Sequence, residues 1–114
     1  MTLQEIVERL DLKPLTTPAD YGAVTPLSGY ASDLLSCVMA GAKRGGVWVT
    51  LQAHGNIVAV AALLELCAVV ITEGAMPDQQ AIAKANAEGV HLFSTPAPTF
   101  KVAGELWEMG LREG

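Results

Sequence analysis

The chain is 114 residues long, enough to bury one sizeable hydrophobic core and too short for two. Hydrophobic residues make up 51% of it and aromatics only 5%, so the core must be assembled from Val, Leu, Ile and Ala, the composition of a buried parallel sheet flanked by helices. A net charge of -5, with seven scattered Lys and Arg of which only Lys43 and Arg44 adjoin, excludes a basic stripe that could track nucleic acid.

Thr2-Leu3-Gln4-Glu5 has the form of a capping box, and Leu3, Ile6, Val7 and Leu10 follow on one face of a first short helix. Glu5, Glu8 and Asp11 interrupt any apolar stretch there, so no signal peptide is read and the cytoplasm is the expected location. Lys13 to Thr16 and Ala23 to Leu27 are extended candidates separated by the turn-rich Thr17-Pro18-Ala19-Asp20. Gly29 to Asp33 then precedes apolar residues Leu34, Leu35, Val38, Met39 and Ala42 at helical spacing, with Ser32 and Asp33 as capping candidates and Gly45-Gly46 as the stop.

Val47 to Leu51 is a strand-forming run, and Gln52 to Asn56 a polar loop whose Asn56 is placed to cap the next helix. That helix, Ile57 to Leu66, is apolar nearly all the way round, which predicts burial on two sides, within the domain or against a second subunit. Its apolar part is far short of the roughly 20 residues a membrane span requires. Ala68 to Thr72 is the clearest strand and reads as central in a parallel sheet. A helix over Asp78 to Glu88 closes at Gly89, Val90 to Phe93 is a fourth extended run, and Thr99 opens a last helix that stops at Gly110. The alternation predicts a single α/β domain with a mainly parallel sheet built from right-handed βαβ units.

In such sheets, ligands gather beyond the carboxyl ends of the strands. The candidate ligand-binding residues are therefore Gly29, Ser32 and Asp33, then Thr50, His54 and Asn56, then Thr72, Glu73 and Gly74, and finally Ser94 and Thr95. The competing reading is that Ser32, Asp33, Asn56, Asp78 and Thr99 merely cap helices. His54, oriented by Asp33 or Glu73, is the one acid–base candidate for a small enzyme, while His91 reads as structural. Two scattered His and two Cys in apolar contexts argue against zinc, both Cys37 and Cys67 are expected to be buried reduced thiols, and no cofactor is expected. Neither a Gly-x-x-x-x-Gly-Lys-Ser/Thr nor a Gly-x-Gly-x-x-Gly run is present.

Val70-Ile71-Thr72-Glu73-Gly74 with Pro77, Ala87-Glu88-Gly89-Val90, and Leu92-Phe93-Ser94-Thr95-Pro96 before Thr99-Phe100 resemble the DRTGG domain and the related N-terminal domain of HPr kinase/phosphorylase. Gly29 to Leu35 and Thr50 to Ile57 resemble small stand-alone DRTGG-like proteins, so the resemblance covers roughly 22–111. The Asp-Arg-Thr-Gly-Gly run itself is absent, and Gln52-Ala53-His54-Gly55-Asn56 stands near the comparable loop. The resemblance implies a fold like the N-terminal domains of HPr kinase and of the Mur ligases, homodimers, and a non-catalytic regulatory role. The polar residues converging at the strand ends and the apolar helix Ile57 to Leu66 lead to the reading of a module that binds a small polar or anionic metabolite, such as a nucleotide or phosphorylated compound, at that edge or acts on a partner enzyme; the kinase chemistry of the resembling family belongs to a separate P-loop domain. A pure interaction module is the alternative.

Overall fold

The computed structural model describes residues 1–114. Five strands form one sheet: β1 (Lys13–Pro14), β2 (Ser28–Ala31), β3 (Gly46–Thr50), β4 (Ala68–Ile71) and β5 (Leu92–Ser94). Their order across the sheet is β1-β5-β4-β3-β2, with β2 to β5 mutually parallel and β1 antiparallel to β5. Five helices accompany them: α1 (Leu3–Arg9), α2 (Leu35–Gly41), α3 (Asn56–Leu63), α4 (Gln79–Glu88) and α5 (Thr99–Glu108). This is the expected single α/β domain with a mainly parallel sheet flanked by helices.

Strands β2 to β5 step across the sheet in chain order, always in the same direction. Right-handed crossovers must then put α2, α3 and α4 on one face. The packing agrees: Val38, Ile57, Val58, Ala61 and Ala85 from these helices bury against Trp48, Val69, Ile71 and Leu92. Alternate strand residues Val47, Val49, Ala68, Val70 and Phe93 point the other way, onto α1 and α5 through Leu3, Ile6, Val102 and Leu106. Every residue of β3, β4 and β5 is buried, as strands covered on both faces require.

Helix ends follow their capping chemistry at three places. Thr2 and Glu5 form the capping box reciprocally, Asp78 accepts from the Ala81 N–H at 2.8 Å, and Gly89 closes α4 with φ +72, a backbone state that a side chain disfavours. Elsewhere the expectation is corrected. Helix α2 begins after Leu34, and Ser32 only makes a local turn by accepting from the Leu34 N–H. Helix α3 begins after Gly55, with Asn56 as its first residue and not its cap. Thr99 likewise stands inside α5, whose flanking residue is Pro98.

The second extended candidate, Ala23 to Leu27, is not in the sheet; β2 comes one step later, at Ser28. Tyr21 to Ala23 forms a single 3-10 turn and Pro26 has no N–H to give a ladder. The first candidate is shortened to Lys13–Pro14, where Pro14 is tolerated on an edge strand, and Leu15 and Thr16 continue to bond the backbone of Leu92.

The cysteines also differ from expectation. Cys37 lies on the outer face of α2 because its neighbour Val38 takes the inward position, and Cys67 is only half-buried. Burial nonetheless pushes the Cys67 thiol up to about 12, so it stays protonated at neutral pH and the thiolate needed for nucleophilic attack is scarce. Maleimide added to the native protein is expected to modify Cys37 quickly and Cys67 only after unfolding; two equivalents consumed at the same rate would contradict this burial. Because the raised thiol holds its proton more tightly folded than unfolded, its contribution to stability is complete below about pH 8.5 and declines as pH rises toward 12.

Helix α3 buries Ile57, Val58 and Ala61 but leaves Leu63 67% exposed. It is therefore half-buried within the chain. None of the helices is long and apolar enough to cross a membrane.

Candidate functional site

The carboxyl ends of four parallel strands lie along one rim. The residues at and just beyond these ends, Ser32 and Asp33, Thr50 to Asn56, Thr72 to Gly74, and Thr95, all belong to that rim by topology. Gly29 does not. It sits inside β2, where its N–H donates to the Arg112 carbonyl at 2.8 Å, because the strand lies later in the chain than expected.

The rim does not form a single cavity, and the reason is the strand order. A crevice opens in a parallel sheet where the order reverses and neighbouring crossovers part to opposite faces. Here the order never reverses among β2 to β5, so the polar groups at adjacent strand ends approach and bond one another.

Asp33 Oδ1 accepts from the Thr50 hydroxyl and from the Leu51 N–H, both at 2.8 Å. The Gln52 side chain donates to the Asp33 carbonyl at 3.2 Å, and the Gln52 N–H donates to Thr50 Oγ1 at 3.0 Å. This network ties the end of β2 to the end of β3. Its capacity is largely taken up internally, which is why the fully buried Thr50 can keep a hydroxyl.

A second network ties β4 to β5 and to α5. Thr72 and Thr99 share a hydroxyl–hydroxyl hydrogen bond, and Glu73 Oε2 accepts from the Thr99 N–H at 2.8 Å. A carboxylate at this place supplies what Thr99 was expected to supply, satisfying a free N–H in the first turn of α5 and complementing the helix dipole. Glu73 holds φ +61 to do so, with its own N–H on the Ala97 carbonyl and the Gly74 N–H on the Thr95 carbonyl. The Thr95 hydroxyl in turn accepts from the Ala97 N–H. Ser94 is the last residue of β5 and is buried.

The remaining candidates, His54 and Asn56, line an open polar cleft of about 310 Å³ between the starts of α3 and α4. Its opposite wall is Asp78, Gln80, Ala81 and Lys84. Two helix N-termini meet here, and the N–H groups of Gln79 and Gln80 have no protein acceptor. His54 Nδ1 accepts from the Asn56 N–H at 3.1 Å, which leaves Nε2 as the ring atom available to the cleft. Lys84 is the only basic side chain on α4, and the one carboxylate of the wall, Asp78, is engaged by Ala81. Gln80 and Lys84 were not singled out from the sequence. The signal that reveals them is adjacency of α3 and α4, which follows from strand order.

Neither carboxylate proposed to orient His54 touches it. Asp33 is engaged with Thr50 and Leu51, and Glu73 with Thr99, so the acid–base pair imagined for a small enzyme is not assembled. His91 stands just before β5 with its ring edge-on to Tyr21 at 5.6 Å, and desolvation holds its pKa below the usual imidazole value. A separate, mainly apolar cavity of about 170 Å³ lies on the opposite side of the sheet, where Tyr30 and Val49 meet Ala103, Leu106 and Trp107.

No protein-family model matches the chain, and no curated protein matches it. Among solved structures, the chain is similar to the CBS and DRTGG domains of the regulatory region of Clostridium perfringens pyrophosphatase, a structure complexed with its activator diadenosine tetraphosphate. The TM-score is 0.73 at 14% identity over 90% of this chain, which itself spans only 44% of that one. At that identity the likeness concerns the fold alone: this chain shares its α/β fold with part of that regulatory region.

Proposed function

We propose that this domain is a cytoplasmic regulatory module that binds a small anionic metabolite, such as a nucleotide or another phosphorylated compound, in the cleft between α3 and α4. The observation that carries the proposal is the set of donors on the residues lining that cleft: the free N–H of Gln80, the Lys84 ammonium, the Asn56 side-chain amide and His54 Nε2, in a chain whose net charge is -5. Such a local excess of donors suits phosphate oxygens. The volume is at the small end for ligand pockets, fitting a phosphoryl or sugar-phosphate group with the rest of the molecule outside. The likeness to a regulatory region that was solved with a nucleotide activator supports the same reading. A kinship with the N-terminal domain of HPr kinase/phosphorylase rests on sequence resemblance alone.

Calorimetric titration with inorganic phosphate, ATP and diadenosine tetraphosphate tests it. At least one is expected to bind, with affinity falling about tenfold or more in Lys84→Glu, where a charge-assisted donor is replaced by a repelling carboxylate. Asn56→Ala is expected to weaken binding by a smaller factor. Silence across the panel, or binding indifferent to Lys84, would remove the ligand-sensing reading. A protein-interaction module would then remain, the reading favoured by the exposed apolar side chains Leu34, Met39 and Leu63 on and beside α2 and α3.

A further inference from the structure

Helix α5 carries the least sheltered aromatic residues of the molecule. Phe100 is 91% exposed and Trp107 is 50% exposed, although a helix with Val102 and Leu106 buried already has its core-facing side. Phe100, Ala103, Gly104 and Trp107 fall in a stripe about 100° wide along one side of the helix. The order of residues in that stripe is aromatic, small, small, aromatic. A side chain built at Gly104 would meet nothing within 4 Å, so the centre of the stripe is open to an approaching surface.

This pattern is self-complementary. If two copies of α5 lie antiparallel about a two-fold axis between Ala103 and Gly104, Phe100 of one copy comes level with Trp107 of the other. Ala103 comes level with Gly104, and the two small pairs allow the close approach that lets both aromatic pairs touch.

The flanking charges obey the same symmetry. Lys101 and Glu108 share one flank of the stripe, and antiparallel pairing places them on the same flank of the contact. Lys101 of one copy then stands within about two residues' rise, about 3 Å along the axis, of Glu108 of the other. Two symmetric ion pairs of opposite charge result, with no like charges opposed. The exposed α2 and α3 side chains have no comparable pattern, because neither helix contains a charged residue.

We propose that two copies of this chain associate through α5, with Phe100 stacked on the partner's Trp107 and Lys101 paired with the partner's Glu108. Arg112, whose guanidinium lies 4.1 Å from the centre of the Trp107 ring, holds that ring by a cation–π contact and by donating to the Trp107 carbonyl. The exposed parts of Phe100 and Trp107 amount to about 300 Å² on each copy, given roughly 150–250 Å² for a whole aromatic side chain. The two copies together thus supply from aromatics alone about half of the roughly 1,200 Å² of the smallest specific interfaces. Ala103, Gly104 and the stems of Lys101 and Glu108 add to this. The contact is independent of the anion cleft, which lies on the opposite face of the sheet.

Sedimentation equilibrium over the micromolar range tests the proposal on the full chain. The wild type is expected to dimerise, and Phe100→Asp to weaken dimerisation by roughly thirtyfold or more, the loss typical of a buried hot-spot aromatic. Leu63→Asp, an exposed apolar site on α3, is the control and is expected to leave the dimer intact. The decisive variants are Lys101→Glu and Glu108→Lys: each alone is expected to weaken the dimer, and the two combined to restore it, because exchanging both charges puts opposite signs face to face again. Far-UV circular dichroism confirms that each variant is folded. A wild type that stays monomeric overturns the proposal, and so does a dimer that survives Phe100→Asp or is broken by Leu63→Asp, which would assign the α5 face to another occupant. Failure of the combined exchange to rescue overturns the antiparallel arrangement.

Discussion

Replacing Trp48 with alanine is expected to destabilise the domain by about 3–5 kcal/mol. Trp48 is fully buried in β3, the largest side chain in the layer between the sheet and α2, α3 and α4. Its ring fills volume that the surrounding Val and Ala residues cannot reach, so truncation leaves a cavity as well as losing transfer free energy. It also has a polar task. The indole Nε1–H donates to the Ser32 carbonyl at 2.9 Å, anchoring the segment that leads from β2 to α2. Removing the indole leaves that carbonyl without its donor, at a cost of about 1 kcal/mol within the total. Trp48→Phe keeps part of the ring and loses only the hydrogen bond and some volume, so it is expected to fall well short of the alanine variant. Urea unfolding followed by circular dichroism measures both: the midpoint should shift while the slope stays constant. A shift below about 1 kcal/mol for Trp48→Ala would mean that α2, α3 and α4 do not pack on this face of the sheet.

Trp48 also illustrates what the sequence could and could not disclose. The run Val47 to Leu51 is legible as a strand because its residues favour an extended, buried environment, and Ala68 to Thr72 is legible for the same reason. The helices expected over 57 to 66 and 78 to 88 are legible from composition and from the Asp78 cap, although the first ends earlier, at Leu63. Strand order is not, because it is set by which hydrophobic faces meet, a property of pairs of elements far apart in the chain. That one missing fact decides the fate of the candidate residues. An order that steps steadily from β2 to β5 brings Asp33 beside Thr50 and Thr72 beside Thr99, where they bond each other. It also sets α3 against α4 and so creates a cleft that includes His54 and Asn56 along with Gln80 and Lys84.

Local misplacements have local causes. Ala23 to Leu27 looks extended and its Val24 carbonyl does accept from the Leu3 N–H, but it serves as a strap for α1 and not as a strand. Glu73 looks like a residue for binding or catalysis because it is a carboxylate next to a glycine. In the structure it closes the first turn of α5, a role that becomes visible only when the loops after β4 and β5 are seen side by side. Periodicity describes an element's own faces, and these contacts lie between loops.

Asp33 offers the sharpest test of whether the rim is a brace or a ligand contact. Asp33→Ala is expected to cost about 1–3 kcal/mol, because the buried Thr50 hydroxyl and the Leu51 N–H both lose their acceptor. Asp33→Asn is expected to recover most of that loss, since an amide oxygen can accept from the same two donors in the same place. The consequence for binding has the opposite sign. If Asp33 acts as a brace and the anion lies in the cleft, removing one negative charge from the rim should leave the affinity for ATP unchanged or raise it about two- to threefold at low salt, with the gain fading as ionic strength rises. If Asp33 instead contacts the ligand, the asparagine variant should weaken binding while remaining as stable as the wild type. Thermal unfolding and calorimetry on the same three proteins separate these outcomes. Stability lost in alanine and regained in asparagine, with anion affinity preserved, is the pattern expected of a carboxylate whose purpose is to hold the end of β2 against the end of β3.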